Sequence, residues 1–194
     1  FIMLILALPQ LSHASKRSHS RSSLGHFKKV FIIVLENTSA KKALEQPYLK
    51  YLTTRGAYLN NFYAAGRPSQ PNYIAMTAGD KFGVKSNSSV DLNVANIADL
   101  LEAKGRTWKS YADDYPGNCF KGATFGRYAR KHNPFISYVG IQNDPSRCAK
   151  VVNSSELEND LKNGTLPDYS FFVPNMDNDG HDTGVEFASK WLQD

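Results

Sequence analysis

Short apolar runs alternate along the chain with stretches whose apolar residues recur at helical spacing, and each pattern predicts one kind of element. The runs at 29–35 and 169–173 are rich in β-branched and aromatic residues, which is typical of strands buried on both faces of a sheet. Further strands are predicted at 57–63 and 107–111, and helices at 47–55, 71–78, 94–104, 155–162 and 185–192. This alternation predicts an α/β fold with a largely parallel sheet and helices on both faces.

The first residues predict a route into secretion. Phe1–Leu8 is an unbroken apolar run, and Ser12-His13-Ala14 places small residues where signal peptidase cleaves. We therefore predict a signal peptide at 1–14, clipped at its start, a basic disordered linker at 15–29, and an extracellular protein. The run is far shorter than the ~20 residues of a membrane span, so no transmembrane segment is predicted. The alternative interpretation, a buried strand, is disfavoured because a polar, charged stretch follows directly.

The excess positive charge of the chain lies entirely in its first residues. The formal net charge is +5, and the residues before Val30 contain five basic and no acidic side chains. The remainder contains 18 basic and 18 acidic residues and is therefore neutral overall. Because a nucleic-acid-binding domain carries a basic face, we predict no nucleic-acid partner.

Secretion makes two further patterns coherent. Cys119 and Cys148 are the two cysteines, and an even count in a secreted chain predicts one disulfide, with two free thiols as the alternative. Four triplets match the glycosylation sequon. Asn37 is expected to stay unmodified because we predict it to be a buried metal ligand. The predicted glycosylation sites are Asn87, Asn153 and Asn163.

Polar segments follow three of the predicted strands. They are Glu36-Asn37, the segment 67–73 and the segment 175–182. Because functional residues of open α/β sheets gather beyond the carboxyl ends of the strands, we expect these segments to meet. Carboxylates, an imidazole and an amide oxygen suit a divalent cation such as Mg, Ca, Mn or Zn. The residues in question are Glu36, Asn37, Asp177, Asp179, His181 and Asp182.

Ser69 stands directly before a predicted helix, where backbone N–H groups and the helix dipole favour an anion. A serine beside a metal and a helix start is a candidate nucleophile toward phosphorus. Its alternative role is that of a helix N-cap alone. The segment 175–186 also matches most of the calcium-loop pattern, which keeps open a non-catalytic calcium-binding glycoprotein. A strand rather than a helix precedes this loop, so we interpret that match as coincidental.

Taken together, the three segments resemble the phosphoesterase family that contains secreted acid phosphatases and non-specific phospholipases C. The motifs are Glu36-Asn37 after a strand, the run Arg67 to Tyr73, and Asn178 to Asp182, in the family's order. The resemblance covers residues 30–194, which we assign to the phosphoesterase domain. It implies an alkaline-phosphatase-like fold, incomplete at its C-terminus because the family's later acidic pair lies downstream. The form of the second motif resembles the acid-phosphatase branch.

The resemblance also implies roles for individual residues. Ser69 would become transiently phosphorylated, Asn72 would hold a phosphoryl oxygen, and His132 would protonate the leaving group. The implied metal ligands are Glu36, Asn37, Asp179, His181 and Asp182. The expected activity is hydrolysis of small phosphate monoesters, with a phospholipase C-type action on phospholipid head groups as the alternative.

Overall fold

A five-stranded sheet organises the chain in the computed structural model, which describes residues 2–7 and 27–194. The strands are β1 (Ile2–Ala7), β2 (Val30–Leu35), β3 (Trp108–Ala112), β6 (Val151–Asn153) and β7 (Tyr169–Val173), in the spatial order β1-β2-β7-β3-β6. The last four strands in that order are mutually parallel, whereas β1 pairs antiparallel with β2 at the edge. A separate hairpin joins β4 (Thr124–Phe125) to β5 (Tyr128–Ala129).

Helices cover both faces of this sheet. The helices are α1 (Ala40–Leu44), α2 (Pro47–Leu52), α3 (Gln70–Ala78), α4 (Ile97–Ala103), α5 (Val139–Gln142), α6 (Pro145–Cys148), α7 (Glu156–Asn163) and α8 (Val185–Gln193). Along β2 the side chains alternate: Val34 packs into the core shared with α3, α4 and α5, whereas Leu35 packs into the core shared with α1, α2 and α8. The predicted α/β class with a largely parallel sheet is confirmed.

The strand predicted at 57–63 is absent. These residues form turns and irregular backbone, and Tyr58, Leu59 and Tyr63 are exposed to 46%, 62% and 78%. Aromatic residues favour a strand only when a neighbouring strand and a buried face are available to them. This segment lies outside the sheet, so its aromatic residues have neither a neighbouring strand nor a buried face. The short strand β6 was not predicted, because three residues carry too little periodicity.

The apolar run near the N-terminus pairs with the sheet. Residues 2–7 form β1, beside β2, which matches the strand interpretation of that run. Most of the predicted signal peptide and linker, at 8–26, lies outside the described residues, so both assignments stay predictions. Within the part of the chain that the structure describes, no helix is long and apolar enough to cross a membrane.

The predicted disulfide is present. Cys119 and Cys148 are bonded, with their Cα atoms 5.6 Å apart and 29 positions between them in sequence. The bridge closes a loop that contains the hairpin β4–β5 and two short 3₁₀ helices, Arg130–His132 and Pro134–Ser137. The loop therefore carries His132 and its neighbours.

We expect the disulfide to contribute roughly 3–4 kcal/mol to the free energy of unfolding, because it restricts a loop of this length in the unfolded chain. Urea unfolding of the oxidised and the reduced protein measures this difference. The Cys119→Ala/Cys148→Ala double variant serves as the control and should be insensitive to reductant. Equal stability of the oxidised and reduced forms would contradict the expectation.

Candidate active site

Glu36 lies one residue beyond β2, at the sheet edge where the parallel strands end. Its backbone N–H donates to the carbonyl of Asp179 at 2.9 Å, which ties the ends of β2 and the loop after β7 together. The Glu36 side chain is buried. Asn37 turns away with a φ of 57°, and its amide donates to the His181 carbonyl at 3.2 Å. Asn37 is exposed, which removes the burial argument against its glycosylation.

Ser69 stands at the start of α3 but does not cap it. The side chain makes no capping hydrogen bond. Instead its hydroxyl donates to Glu36 Oε1 at 3.1 Å, across 33 positions of sequence. The side chain of Asn87 takes over the capping, since its Oδ1 accepts from the Gln70 N–H at 3.1 Å. The Ser69 hydroxyl is therefore half-buried, directed at a carboxylate, and not consumed by the helix.

Asn72 fixes the loop that carries Ser69. Its Oδ1 accepts from the Gly66 N–H at 2.9 Å, and its Nδ2 donates to the carbonyls of Gly66 and Pro68 at 2.9 and 2.8 Å. The side chain is buried. These bonds position the nucleophile loop, whereas the predicted contact of Asn72 with a phosphoryl oxygen stays a prediction.

His132 occupies the centre of the cluster, between two carboxylates. Its Nε2 lies 2.9 Å from Glu36 Oε1 and its Nδ1 lies 2.9 Å from Asp179 Oδ2, and all three side chains are buried. The ring stacks on Tyr73 of α3 with centroids 4.8 Å apart. The His132 ring fills the space between the two carboxylates. With 1% of its side chain exposed, His132 is not accessible to a leaving group.

The cluster is electrostatically coupled. Burial alone would raise the pKa of Glu36, but the His132 ring and the Ser69 hydroxyl hold it below its ordinary value. Burial would likewise lower the pKa of His132, and the carboxylates of Asp179 and Glu36 raise it instead. Burial and the two carboxylates together raise the pKa of the Tyr73 phenol well above its usual value. The Glu36 carboxylate is thus held ionised in a buried place.

His181 and Asp182 follow in the loop after β7. His181 Nε2 lies 3.7 Å from Glu36 Oε1, and its Nδ1 lies 2.7 Å from Asp182 Oδ1. Asp182 also pairs with Arg127 at 2.6 Å. Asp182 therefore orients the His181 ring, as carboxylates do for metal-binding histidines, rather than joining the buried cluster. Gly180 between Asp179 and His181 has a φ of +87°, and a Cβ there would lie 3.1 Å from the Gly184 carbonyl oxygen.

The calcium-loop alternative is not favoured by this geometry. Asp177 turns outward and pairs with Arg127, whereas Asp179 turns inward to His132. The two carboxylates that would share a calcium ion therefore point to different partners. Asp177 and Asp182 instead converge on the guanidinium of Arg127.

The buried group formed by Glu36, His132 and Asp179 could bind a metal ion. Their ligand atoms all lie within 4.8 Å of one another. Both ring nitrogens of His132, together with Glu36 Oε2 and Asp179 Oδ2, are buried without a hydrogen-bond partner of good geometry. Such atoms are costly unless a further partner satisfies them, and a divalent cation would satisfy the carboxylate oxygens together with one of the two ring nitrogens. The residues present therefore fit a metal with oxygen and nitrogen ligands.

Sequence reasoning placed Ser69, Glu36, Asp179 and His181 in one site, and the structure brings their side chains together. It gave His132 a different role, and it did not predict that Arg127 pairs with Asp177 and Asp182 in the loop after β7. The sequence around Arg127 does not indicate this ion pair, because the partner Asp177 lies 50 positions away along the chain.

Comparison with known proteins points to the family that the sequence motifs resemble. The Phosphoesterase family matches residues 40–194. A probable acid phosphatase of Kluyveromyces lactis is 41% identical over 87% of this chain, and an acid phosphatase of Aspergillus fumigatus is 36% identical over 85%. A phosphatidylinositol-3-phosphatase of Mycobacterium tuberculosis is 31% identical over 96%. The chain spans 42%, 39% and 60% of the lengths of these three relatives. The matched residues include Ser69, His132 and the loop after β7, and this chain belongs to the phosphoesterase family.

Proposed function

We propose that this protein is a secreted, metal-dependent phosphatase that hydrolyses phosphate monoesters through a phosphoserine intermediate. The observation that carries the proposal is the Ser69 hydroxyl. This hydroxyl makes no capping hydrogen bond to the helix that it precedes. It is half-buried and lies 3.1 Å from the Glu36 carboxylate, which belongs to the buried Glu/His/Asp cluster. A reactive serine needs such an acceptor for its proton.

In the first step Ser69 Oγ attacks the phosphorus of the substrate. A bond forms between Oγ and phosphorus, the bond from phosphorus to the leaving oxygen breaks, and the hydroxyl proton passes to Glu36. A water molecule then attacks the phosphorus of the phosphoserine and gives a proton to His181, the bond between phosphorus and Oγ breaks, and Glu36 returns its proton to Oγ as phosphate departs. The N-terminal end of α3 lies beside Ser69, and the positive end of the helix dipole favours the charge of a phosphoryl group there.

His181 is better placed than His132 to serve the leaving group. Its side chain is 27% exposed, and Asp182 holds its Nδ1, so that Nε2 faces the Glu36 carboxylate. A protonated His181 ring can donate from Nε2 to the leaving oxygen. We therefore assign this role to His181 in place of the residue that the resemblance implied.

Glu36, His132 and Asp179 would hold the metal, with His181 and Asn37 beside them. A divalent cation supplies charge for the phosphoryl oxygens and lowers the pKa of an adjacent hydroxyl. Mg, Ca, Mn and Zn are all compatible with these ligand types, and the mixed donor set of carboxylates and imidazole extends to the borderline ion Zn.

Hydrolysis of p-nitrophenyl phosphate and of bis-p-nitrophenyl phosphate, with and without a chelator, tests the proposal. We expect the monoester to be hydrolysed, the chelator to abolish the activity, and one divalent metal to restore it. Preference for the diester would favour the phospholipase C-type alternative. Turnover of a phosphoinositide monoester would extend the substrates to phospholipid head groups, as the name of the mycobacterial relative indicates for that protein.

Extracellular location is part of the proposal, and the disulfide supports it, because disulfides persist in oxidising compartments. Asn87 and Asn163 are exposed and remain proposed glycosylation sites. Asn153 is half-buried, and its amide donates to the Tyr115 carbonyl at 2.9 Å. It is therefore the least accessible of the three proposed acceptors.

A further inference from the structure

Lys131 lies at the edge of the candidate active site, on the short 3₁₀ helix that also carries His132. Its ammonium Nζ is 3.0 Å from His181 Nε2, across 50 positions of sequence. That imidazole nitrogen lies 3.7 Å from Glu36 Oε1, which accepts the Ser69 hydroxyl at 3.1 Å. The ammonium is therefore two contacts from the carboxylate that holds the nucleophile.

Positive charge directed at the site favours the binding of an anion beside Ser69. The side chains of Glu36 and Asp179 place two carboxylates in the cluster, whereas those of Asp177 and Asp182 are paired with Arg127. A phosphate monoester carries up to two negative charges, and carboxylates at this range repel it. Positive charge directed at the substrate phosphoryl group therefore favours its binding there.

The basic side chains nearby differ in whether that charge is available. Arg127 is held by Asp177 and Asp182. Arg130 is buried and binds Asp91 and the carbonyls of Val90 and Lys121. Within residues 27–194, Lys131 has no carboxylate partner, and its Nζ contacts Nε2 of His181. Of these three basic side chains, Lys131 is therefore the one whose charge is not compensated by a carboxylate of the described residues.

The backbone that carries Lys131 is held in place. Lys131 is the middle residue of the 3₁₀ helix Arg130–His132, with Arg130 anchored on one side and His132 buried in the cluster on the other. The disulfide closes the surrounding loop. A preorganised cation needs no rearrangement when charge arrives, which makes it effective toward a phosphoryl group.

We propose that Lys131 binds the phosphoryl group of the substrate, with a phosphoryl oxygen taking the place of His181 Nε2 as the acceptor of its ammonium. This inference rests on the proposed phosphatase function and adds a specific anion-binding residue to it. Lysine binds phosphate as a point charge, so the removal of that charge should weaken every phosphate ligand of the site.

The Lys131→Met variant, which keeps the length of the stem and removes the charge, tests the proposal by two readouts. We expect the inhibition constant of inorganic phosphate and the KM for p-nitrophenyl phosphate to rise about 10- to 100-fold, as for loss of a charged hydrogen bond. Lys131→Arg should recover much of this affinity. The matched control is Lys121→Met, which removes an exposed lysine of the same disulfide-closed loop and should change neither value.

Binding of inorganic phosphate by calorimetry, with divalent metal present, separates this inference from the proposed function. Phosphate binding that is strong in the wild type and weakened in Lys131→Met supports the anion site even if no ester is hydrolysed. A Lys131→Met protein with unchanged phosphate affinity overturns it, whether or not its melting temperature falls. An active wild type with an unaffected Lys131→Met variant leaves the phosphatase standing and removes Lys131 from it.

Discussion

Substitution of Ser69 by alanine is expected to lower kcat by at least about 1,000-fold, because loss of a catalytic nucleophile removes the covalent route altogether. The change deletes one hydroxyl whose hydrogen bond joins Glu36 at 3.1 Å. Since a single hydrogen bond contributes about 1 kcal/mol, the free energy of unfolding should fall by no more than about that amount. Kinetics on p-nitrophenyl phosphate and urea unfolding measure the two quantities.

Ser88→Ala is the matched control for this experiment. Ser88 is an exposed serine next to the same helix, and it contributes its backbone carbonyl to Gln70 at 2.8 Å. The variant should be fully active. Acid quenching during turnover, followed by peptide mass analysis, should place a phosphoryl group on the peptide with Ser69 in the wild type and none in Ser69→Ala. Substantial turnover by Ser69→Ala would contradict the phosphoserine mechanism.

Substitution of Asp179 by asparagine is expected to lower metal affinity and activity by about 100-fold or more. Asp179 is fully buried, contacts His132 at 2.9 Å, and leaves Oδ2 without a hydrogen-bond partner of good geometry. An amide keeps the shape but removes the charge that would hold a cation. Activity should recover in part as the metal concentration rises, which titration of the chelator-treated enzyme with each divalent ion would show.

Asp177→Asn is the control for the metal prediction and also tests the calcium-loop alternative. Asp177 lies in the same loop but pairs outward with Arg127, with 39% of its side chain exposed. Exposed ion pairs contribute about 0–1 kcal/mol, so this variant should keep nearly all its metal affinity and activity. If Asp177→Asn loses metal as severely as Asp179→Asn, the loop itself is the cation site and the proposed cluster is wrong.

The sequence determined the class of the fold. The strands β2, β3 and β7 lie within one residue of the predicted bounds. The apolar runs of β2 and β7 are typical of strands buried on both faces and leave little ambiguity. The helices α3, α7 and α8 were likewise predicted from their spacing and their Gly or Pro boundaries. The segment 57–63 was predicted wrongly because strand propensity depends on a partner that lies elsewhere in the chain.

The sequence also determined which side chains lie together at the carboxyl ends of the strands. Glu36 ends a strand and Asp179 follows another, and parallel strands bring their carboxyl ends to one edge whatever their distance along the chain. The motif order then identified Ser69 as the nucleophile candidate. None of these conclusions needs a side-chain distance, because each follows from where a residue stands relative to the end of an element.

The tertiary structure decided the direction of each side chain. Whether Ser69 caps its helix or faces Glu36 depends on Asn87, which arrives from a different loop to cap α3. His132 fills the centre of the cluster because Tyr73 and two carboxylates enclose it. Asp182 and Lys131 contact the two nitrogens of His181 across distances that no local pattern encodes. These contacts join loops from four parts of the chain, and only the packing of the sheet with its helices fixes their relative positions.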